Sequence, residues 1–316
     1  MKFSVVVATY RRLAYVRQLI ASLEKQRLDH DDFELILVSD GPDGALEQYL
    51  TARENTLINL RYCFLPVNRG PAFARNTGAS LANGSFLAFT DDDCQPDPVW
   101  LEAYDAATAA CAGCIFTGRV KVPLSDRPRD YERNTAGLES AEFITANCLV
   151  PAKVFRTAGM FDTRFRKAWR EDSDLHFTLL EMGHKIVKVE EALVIHPVRN
   201  ASWGISLKEQ SKGIYEALLY KKHKMLYKRR IAATPPLDYY LMLFALVTLI
   251  FSEHTLQAVA FTAWAILYFR FVARRLNSNS LAPKHVAEML ITSLMIPFLS
   301  IFWRIRGAFR FNIFFL

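Results

Sequence analysis

The feature that most constrains the fold is a regular alternation of short apolar runs and amphipathic segments near the start of the chain. The apolar runs are rich in Val, Ile, Leu and Phe, which is typical of strands buried on both faces of a parallel sheet. Strands that alternate with helices form such a sheet through right-handed crossovers. The sequence therefore predicts an α/β fold. The predicted strands are Phe3–Ala8, Phe33–Val38, Leu60–Leu65 and Phe86–Phe89, and the predicted helices are Leu13–Gln26, Ala45–Asn55 and Pro71–Ala82.

Polar residues follow each of the four predicted strands, where ligands of an open α/β sheet bind. The segments read ATYRR, SDGPDG, PVNRGPA and TDDDC. In the last of them, Asp91, Asp92 and Asp93 come directly after a buried strand, and three adjacent carboxylates repel one another. A divalent cation relieves that repulsion, since Mg²⁺ takes oxygen ligands and Mn²⁺ also suits carboxylates. The sequence predicts a metal site whose other ligands are waters and substrate phosphates.

Simpler explanations exist for two of these segments. The aspartates could cap a helix that begins near Pro98, although Asp97 already supplies a cap and one cap does not need four aspartates. Asp40 can accept hydrogen bonds from a base or a ribose, but Asp40 and Gly41 also form a good turn. Neither the G-x-G-x-x-G fingerprint nor the G-x-x-x-x-G-K-[ST] loop of nucleotide-binding proteins occurs.

Net charge and cysteine content limit the possible functions but do not identify one. The net charge of +7 fits attraction to phosphates, nucleic acid or a membrane surface. Five cysteines without regular spacing argue against a disulfide framework and for a reducing compartment. Cys111 and Cys114 form a lone C-x-x-C, which we interpret as two half-buried thiols because no second pair of zinc ligands is present. The apolar stretch at the N-terminus is too short for a signal peptide.

The pattern becomes less regular after about Gly113. Two further strands are expected in CIFTGRVKV and EFITANCLV, and polar helices are expected to begin near Asp172 and Ser206. The basic run Lys221–Arg230 holds six Lys or Arg and no acid, as a cytosolic segment next to a membrane does. Three apolar segments come after it, each near or below the roughly 20 residues that span a bilayer. They are Tyr239–Phe251, Thr255–Phe269 and Val286–Trp303.

The positive-inside tendency favours two membrane spans. A hairpin over about residues 237–272 would return the chain to the cytosolic side at Arg274 and Arg275, whereas a third span would place Arg304 and Arg306 outside. We therefore expect about residues 286–316 to lie in the interface or to re-enter. Three interfacial segments, or a buried helical subdomain, are the alternatives. The expected location is the inner (cytoplasmic) membrane, with residues 1–230 facing the cytosol.

Four segments resemble family 2 glycosyltransferases in order and rough spacing. They are SVVVATYRR, LILVSDGPDG, NRGPAFARNTGASLANGSFLAFTDDD and FDTRFRKAWREDSDLHFTLLEMGHKI. The resemblance covers about residues 1–200 and implies the GT-A fold, a Rossmann-like mixed sheet that binds nucleotide-diphosphate sugars. It implies a catalytic domain over residues 1–230, with a nucleotide-binding half to about 112 and an acceptor half from about 113. A hydrophobic, membrane-associated helical region, residues 231–316, would follow.

The resemblance implies which residues bind the donor. Thr9, Tyr10 and Asp40 would line the nucleoside pocket, with Asp40 near the uracil if the donor is a UDP-sugar. Arg75 and Asn76 would face the diphosphate or the sugar. The acidic residue that the family often has before the aspartate of the second strand is replaced here by a serine, so Asp40 would be the sole carboxylate at the nucleoside.

The resemblance also implies metal and catalytic residues. Asp91, Asp92 and Asp93 would form the D-x-D element that binds the donor and its Mn²⁺ or Mg²⁺, with Asp93 the most direct metal ligand. Asp172 matches the catalytic base, and Glu171 is the acid beside it. Two further residues are expected near the substrates. His196 would complete the metal site, although a lone histidine is often structural, and Asn147 would contact the donor or acceptor sugar.

The chemistry agrees with these roles. Glycosyl transfer passes through an oxocarbenium-like state, so the leaving group needs stabilisation on one face and the acceptor hydroxyl needs a base on the other. Asp172 suits that base because WRED begins a helix, where backbone donors keep a carboxylate ionised; alternatively, Glu171 and Asp172 are ordinary first-turn acids. Processive synthases carry Q-x-x-R-W, which is absent here, so an enzyme that adds one sugar is favoured.

Three hypotheses follow from the sequence. The first is a metal-dependent, inverting, membrane-associated glycosyltransferase that takes a nucleotide-diphosphate sugar, with UDP-sugar expected, and acts on a lipid-linked or cell-envelope acceptor, with no nucleic-acid partner. The second is a nucleotidyltransferase, which would normally need a Gly-rich basic loop after the first strand. The third is a non-catalytic membrane scaffold that retains the fold.

Overall fold

The computed structural model describes residues 1–53, 57–111, 113–277 and 279–315. It divides into two units, Met1–Pro123 with Ala136–Val198, and Leu124–Thr135 with Arg199–Leu316. An eight-stranded sheet organises the first unit. Its strands are β1 (Phe3–Thr9), β2 (Phe33–Ser39), β3 (Asn59–Phe64), β4 (Phe86–Phe89), β5 (Gln95–Pro96), β6 (Ile115–Lys121), β7 (Cys148–Pro151) and β8 (Ile186–Ile195).

The sheet is mixed, in the order β3-β2-β1-β4-β7-β6-β8-β5. The first four strands are parallel, β7 runs antiparallel to β4 and β6, and β8 is parallel to β6. This is the mixed sheet that the sequence predicts. The helices up to residue 181 are α1 (Leu13–Leu23), α2 (Gly44–Thr51), α3 (Pro71–Leu81), α4 (Trp100–Ala110), α5 (Asp130–Ala136), α6 (Ala152–Thr157) and α7 (Glu171–Glu181).

The predicted elements of the first unit are present, and their bounds differ for local reasons. The predicted first helix reaches Gln26, but α1 ends at Leu23, because the backbone nitrogens of Lys25 and Gln26 donate to carbonyl oxygens only three residues back, at 3.3 and 3.1 Å. The predicted second helix ends at Asn55, which lies outside the described residues, and α2 ends at Thr51. The prediction that all four first strands are buried on both faces was wrong for β3, an edge strand that is partly exposed.

Two other expectations need correction. Of the predicted strand EFITANCLV, only the last three residues belong to a strand, β7 (Cys148–Pro151), because the Asn147 backbone nitrogen donates back to the Ile144 carbonyl oxygen at 3.2 Å. Cys111 and Cys114 form a disulfide rather than two free thiols. Their Cα atoms are 5.5 Å apart, within the range that a disulfide spans.

The second unit is helical. Its helices after residue 199 are α8 (Ile205–Glu209), α9 (Ile214–Lys222), α10 (Lys224–Arg230), α11 (Leu237–Phe251), α12 (His254–Leu276) and α13 (Pro283–Phe311). By length and composition, α12 and α13 could cross a membrane. At about 1.5 Å per residue, the 15 residues of α11 reach only about 22 Å, short of the roughly 30 Å hydrocarbon core.

The structure thus gives a different pair of candidate spans from the predicted hairpin over residues 237–272. The third segment, predicted to be interfacial or re-entrant, is one continuous helix of 29 residues with Pro297 inside it. Within the second unit, 17% of the most apolar stretch of α12 and 33% of that of α13 are buried. Such low burial is unlike the core helices of a buried helical subdomain. Which segments span stays a prediction.

Candidate active site

The acidic segment after β4 meets a histidine that is a hundred residues away in sequence. Gln95 of β5 pairs with Ile195 of β8, so the residues just before β5 come beside His196. The His196 Nε2 atom lies 3.6 Å from Asp93 Oδ1 and 4.0 Å from Asp91 Oδ2. The structure therefore brings together the three residues that the resemblance assigns to the metal.

These three side chains suit a divalent cation. Their donor atoms and the sulfur of Cys94 lie within 4.8 Å of one another. The Nδ1 atom of His196 is buried and has no hydrogen-bond partner among the residues that the structure describes. Two carboxylates with one imidazole form a set that fits Mn²⁺ at least as well as Mg²⁺, which prefers oxygen ligands alone.

Cys94 is the member of this cluster that the sequence analysis missed. Burial raises the pKa of its thiol, and the negative charges of Asp91 and Asp93 raise it further. The neutral thiol is a poor ligand for a hard cation, and its sulfur is packed in the hydrophobic core of the first unit. Its position next to the three aspartates was the available signal.

Asp92 braces the sheet and is not part of this cluster. Its Oδ2 atom accepts a hydrogen bond from Thr9 Oγ1 at 2.7 Å, and its Oδ1 atom pairs with Arg12 Nη1 at 3.0 Å. The contacts join the carboxyl ends of β1 and β4, which are adjacent in the sheet. Two residues predicted to bind the donor, Thr9 and Asp92, therefore bind each other.

Arg75 on α3 joins the acidic cluster to the start of α7. One guanidinium nitrogen lies 2.6 Å from Asp91 Oδ1 and the other lies 2.9 Å from Glu171 Oε1. Burial alone would lower the pKa of Arg75, but the two carboxylates outweigh it, so the pKa lies above its ordinary value. Arg75 is thus a permanently charged link between a predicted metal ligand and the predicted catalytic pair.

Glu171 and Asp172 begin α7 in different environments. Burial, with the neighbouring charge of Asp172, raises the pKa of Glu171 to about 7, although Arg75 opposes the shift. Burial also raises the pKa of Asp172, against hydrogen bonds from Ser173, whose backbone nitrogen is 2.6 Å from Asp172 Oδ1. Because Glu171 is held by Arg75 and Asp172 is only half-buried, Asp172 is the better placed to meet a substrate.

The predicted nucleoside residues lie at the ends of β1 and β2. The two oxygens of Asp40 each accept one backbone hydrogen bond, from Arg69 and Gly70, both at 2.8 Å. Each oxygen keeps a second lone pair. The Tyr10 side chain is 40% exposed and its ring lies against Gly41, where an added Cβ atom would stand 3.2 Å from the ring. An exposed ring at this edge is available to a planar base.

Asn76, predicted to face the donor, makes structural contacts. Its Nδ2 atom donates to the Phe161 carbonyl oxygen at 2.8 Å, and its Oδ1 atom accepts from the Phe161 amide nitrogen at 3.0 Å. Both ends of the amide are therefore occupied by one backbone segment. These contacts lend no support to a role in donor binding, which stays a prediction.

The prediction that Asn147 contacts a sugar was wrong, because this residue has no exposed surface. Its Oδ1 atom accepts from Trp100 Nε1 at 2.8 Å and from the Tyr104 hydroxyl at 2.7 Å. Its Nδ2 atom donates to the carbonyl oxygens of Arg119 and Ala192, at 2.9 and 2.8 Å. All four of its hydrogen-bonding positions are thus used inside the core.

We expect Asn147→Leu to lower the free energy of unfolding by about 3 kcal/mol or more, because each buried group left without a partner costs about 1–3 kcal/mol. Urea unfolding monitored by circular dichroism measures this change. Asn134→Leu, at an exposed position of α5, is the control and should unfold like the wild type. An Asn147→Leu protein as stable as the wild type would show that the four contacts contribute little.

Comparison with known proteins gives one family. The profile of Glycosyl transferase family 2 matches residues 4–170, which include β1, the aspartates and Arg75. A curated relative, glycosyltransferase AglE of Haloferax volcanii, is 22% identical over 218 residues, covering 66% of this chain and 70% of AglE. The chain spans only 16% of the length of two other curated relatives, the hyaluronan synthase of Pasteurella multocida and TarS of Staphylococcus aureus.

Solved structures share the fold. The mannosyltransferase PcManGT from Pyrobaculum calidifontis, solved with GDP-Man and Mn²⁺, superposes with a TM-score of 0.61 at 16% identity, covering 96% of this chain and 87% of that one. Residues 1–349 of S. aureus TarS, solved in complex with UDP-GlcNAc, give a TM-score of 0.55 at 15% identity, covering 100% of this chain and 93% of that solved segment. At such identities the likeness establishes the GT-A fold.

Proposed function

The chain belongs to glycosyl transferase family 2, and from this we propose that it moves one sugar from a nucleotide-diphosphate sugar to a hydroxyl of a lipid-linked or cell-envelope acceptor, with inversion. One observation carries the proposal. The Arg75 guanidinium pairs with Asp91, a predicted metal ligand, and with Glu171, the neighbour of the predicted base. The donor-binding and base-bearing elements therefore face a common site.

The donor nucleotide is proposed to bind at the ends of β1 and β2. PcManGT was solved with GDP-Man and TarS with UDP-GlcNAc, so relatives of this fold bind nucleotide sugars. The exposed ring of Tyr10 offers a stacking surface for a base. The Asp40 carboxylate, held by two backbone donors, offers its remaining lone pairs to a base or ribose N–H or O–H. A UDP-sugar is the proposed donor.

A divalent cation is proposed to be held by Asp91, Asp93 and His196. When bound there, it supplies Lewis-acid stabilisation of a diphosphate leaving group. The convergence of the two carboxylates on the Nε2 atom of His196, which lies 3.6 Å from Asp93 Oδ1 and 4.0 Å from Asp91 Oδ2, supports this assignment. Arg75 contributes a second positive charge beside Asp91, which no change of pH in the ordinary range removes.

Asp172 is proposed to be the general base. In the proposed step, the acceptor oxygen forms a bond to the anomeric carbon, and its proton passes to Asp172. The bond from that carbon to the diphosphate oxygen breaks at the same time. A single displacement with one base inverts the anomeric centre. Glu171, fixed by Arg75, is proposed to position the start of α7 and not to take the proton.

The membrane part of the proposal rests on the second unit. We propose a catalytic domain over residues 1–230 and a membrane-associated region over residues 231–316, at the cytoplasmic membrane with the catalytic domain in the cytosol. Large apolar side chains are exposed along α12 and α13, including Val259, Ile266, Phe269, Phe298 and Phe302. An apolar surface of this kind fits lipid better than water. An anchored domain meets amphiphilic acceptors at the interface.

A donor screen tests the proposal directly. Full-length protein in detergent with Mn²⁺ is heated with UDP-glucose, UDP-GlcNAc, UDP-galactose and GDP-mannose, each at saturating concentration. We expect one donor to raise the melting temperature, since a ligand at 100 times its Kd stabilises the folded state by about 2.7 kcal/mol. The stabilising donor should then release its nucleoside diphosphate in the presence of acceptor. Release of pyrophosphate would instead indicate a nucleotidyltransferase, and absence of any donor effect would favour the scaffold.

A further inference from the structure

A cavity of about 260 Å³ lies at the N-terminal end of α13, in the second unit. All the residues that line it belong to that unit. It is therefore independent of the candidate active site, and it can bind a ligand whether or not the first unit transfers a sugar. The polar and aromatic side chains that line it are Arg129, Trp203, Ser280, Lys284, His285 and Glu288.

His285 is a buried side chain on the cavity wall whose ring nitrogens lack hydrogen-bond partners among the described residues. Its side chain is almost wholly buried, with 4% of the residue exposed. Neither ring nitrogen has a hydrogen-bond partner within the part of the chain that the structure describes. Glu288 does not supply one, because its nearer oxygen is 3.9 Å from Nδ1 and its other oxygen accepts from the Gly204 amide nitrogen at 2.7 Å. A buried imidazole without a partner is costly, so a polar guest is favoured in the cavity.

The charges around the cavity select an anion. Lys284 and Arg129 are exposed cations on its wall, and the Arg129 Nε atom lies 3.4 Å from Glu132 Oε1. The N-terminus of α13, a helix of 29 residues, adds its positive dipole end at the same place. Among the residues that line the cavity, one carboxylate, that of Glu288, opposes these cations, and Glu132 offsets part of the Arg129 charge from outside the lining. The lining residues therefore carry more positive than negative charge even when His285 is neutral.

The size of the cavity limits the guest. It is much larger than the roughly 15 Å³ that one water needs, and it is below the roughly 300–1,000 Å³ of pockets that enclose a drug-sized molecule. A compact anionic group fits, whereas a whole nucleotide sugar does not. We propose that this cavity binds a phosphate group, with His285 and Lys284 as its principal donors.

Two sources could supply the phosphate. One is the head group of an amphiphile, because the cavity sits where α13, an apolar helix long enough to cross a membrane, begins. Trp203, 46% exposed beside the cavity, is a residue type enriched at membrane interfaces. The other source is a soluble phosphate ester or free phosphate. Both present the same oxygens to the same donors.

Isothermal titration of the full-length protein in detergent at low salt tests the site and names the source. The probes are inorganic phosphate, dioctanoyl phosphatidic acid and dioctanoyl phosphatidylcholine. We expect saturable binding of phosphate or phosphatidic acid, weakened by about tenfold in Lys284→Gln and in His285→Asn, because hydrogen bonds to charged groups are the strong ones. Phosphatidic acid binding at least tenfold more tightly than phosphate would assign the site to a lipid head group, and equal affinities would assign it to soluble phosphate.

Lys208→Gln removes an exposed lysine of the same unit that does not line the cavity, and it should bind as the wild type does. Lys284 is exposed, so its variant tests the site even if the His285 variant fails to fold. The proposal is overturned if phosphate and phosphatidic acid bind Lys284→Gln with wild-type affinity, if neither binds the wild type, or if phosphatidylcholine binds as tightly as phosphatidic acid.

Discussion

Asp172→Asn is expected to lower the turnover number by about 10²–10⁴-fold, the usual contribution of a positioned general base. The amide keeps the size and shape of the side chain but cannot take the acceptor proton. Donor affinity should stay within about twofold of the wild type, because the predicted donor residues lie on other elements of the first unit. Initial rates of nucleoside diphosphate release, with donor and acceptor saturating, measure the loss, and titration of the donor alone measures the affinity.

The pH profile of the wild type gives an independent check of this assignment. The base must be ionised to act, so the rate should fall as the pH drops through the pKa of Asp172. Burial raises that pKa above the ordinary aspartate value, so the fall should begin at a higher pH than for an exposed aspartate. Glu181→Gln, at the exposed end of the same helix, is the matched control and should keep full activity. Asp172→Asn with more than a tenth of wild-type activity would remove Asp172 from the base role.

Apolar pattern predicts the strands of this fold well where burial is symmetric. β1, β2 and β4 are covered on both faces and appear in the sequence as continuous apolar runs. The edge strand β3 reads NLRYCF, and its polar residues Asn59 and Arg61 were the available local signal that it is only partly buried. Position within a sheet depends on which strands pair, and pairing is a long-range property that a short window of sequence does not contain.

The site shows the same division between local and long-range information. The three aspartates were recognisable because they are adjacent in sequence and electrostatically unfavourable. Cys94 directly follows the aspartates in sequence, which was a local signal, but its proximity to His196 arises only from the pairing of Gln95 with Ile195. Asn147 was misinterpreted for a related reason: an amide among apolar residues looks the same in sequence whether it contacts a ligand or joins four buried groups.

Arg75 illustrates what residue type alone leaves open. The resemblance assigns it to the donor, which would require a free guanidinium. The structure instead gives it two carboxylate partners, 2.6 and 2.9 Å away. A buried arginine with two acids is a positioning element whose removal leaves two uncompensated charges. We therefore propose that Arg75 both holds α7 in place and supplies positive charge near the donor, and the sequence pattern could indicate only the second role.

Asp93→Asn is expected to weaken Mn²⁺ binding by more than about 100-fold, since changes to groups that merely orient metal ligands already cost about 10–100-fold. The amide has the same shape but carries no charge. Loss of one of the three adjacent negative charges also weakens the electrostatic attraction for a cation. Mn²⁺ titration followed by electron paramagnetic resonance measures the affinity without any substrate, so the result does not depend on knowing the sugar.

Asp92→Asn separates metal binding from structural bracing. Asp92 has both oxygens engaged by Thr9 and Arg12, so this substitution should lower thermal stability while Mn²⁺ affinity changes by less than about tenfold. Asp105→Asn, on the outer helix α4, controls for the loss of one negative charge elsewhere in the unit and should leave Mn²⁺ affinity unchanged. Equal losses of Mn²⁺ affinity in the Asp92 and Asp93 variants would mean that the acidic segment attracts the cation through its total charge and not through individual ligands. Only a loss confined to Asp93 supports a cation held between β4 and His196 by individual ligands.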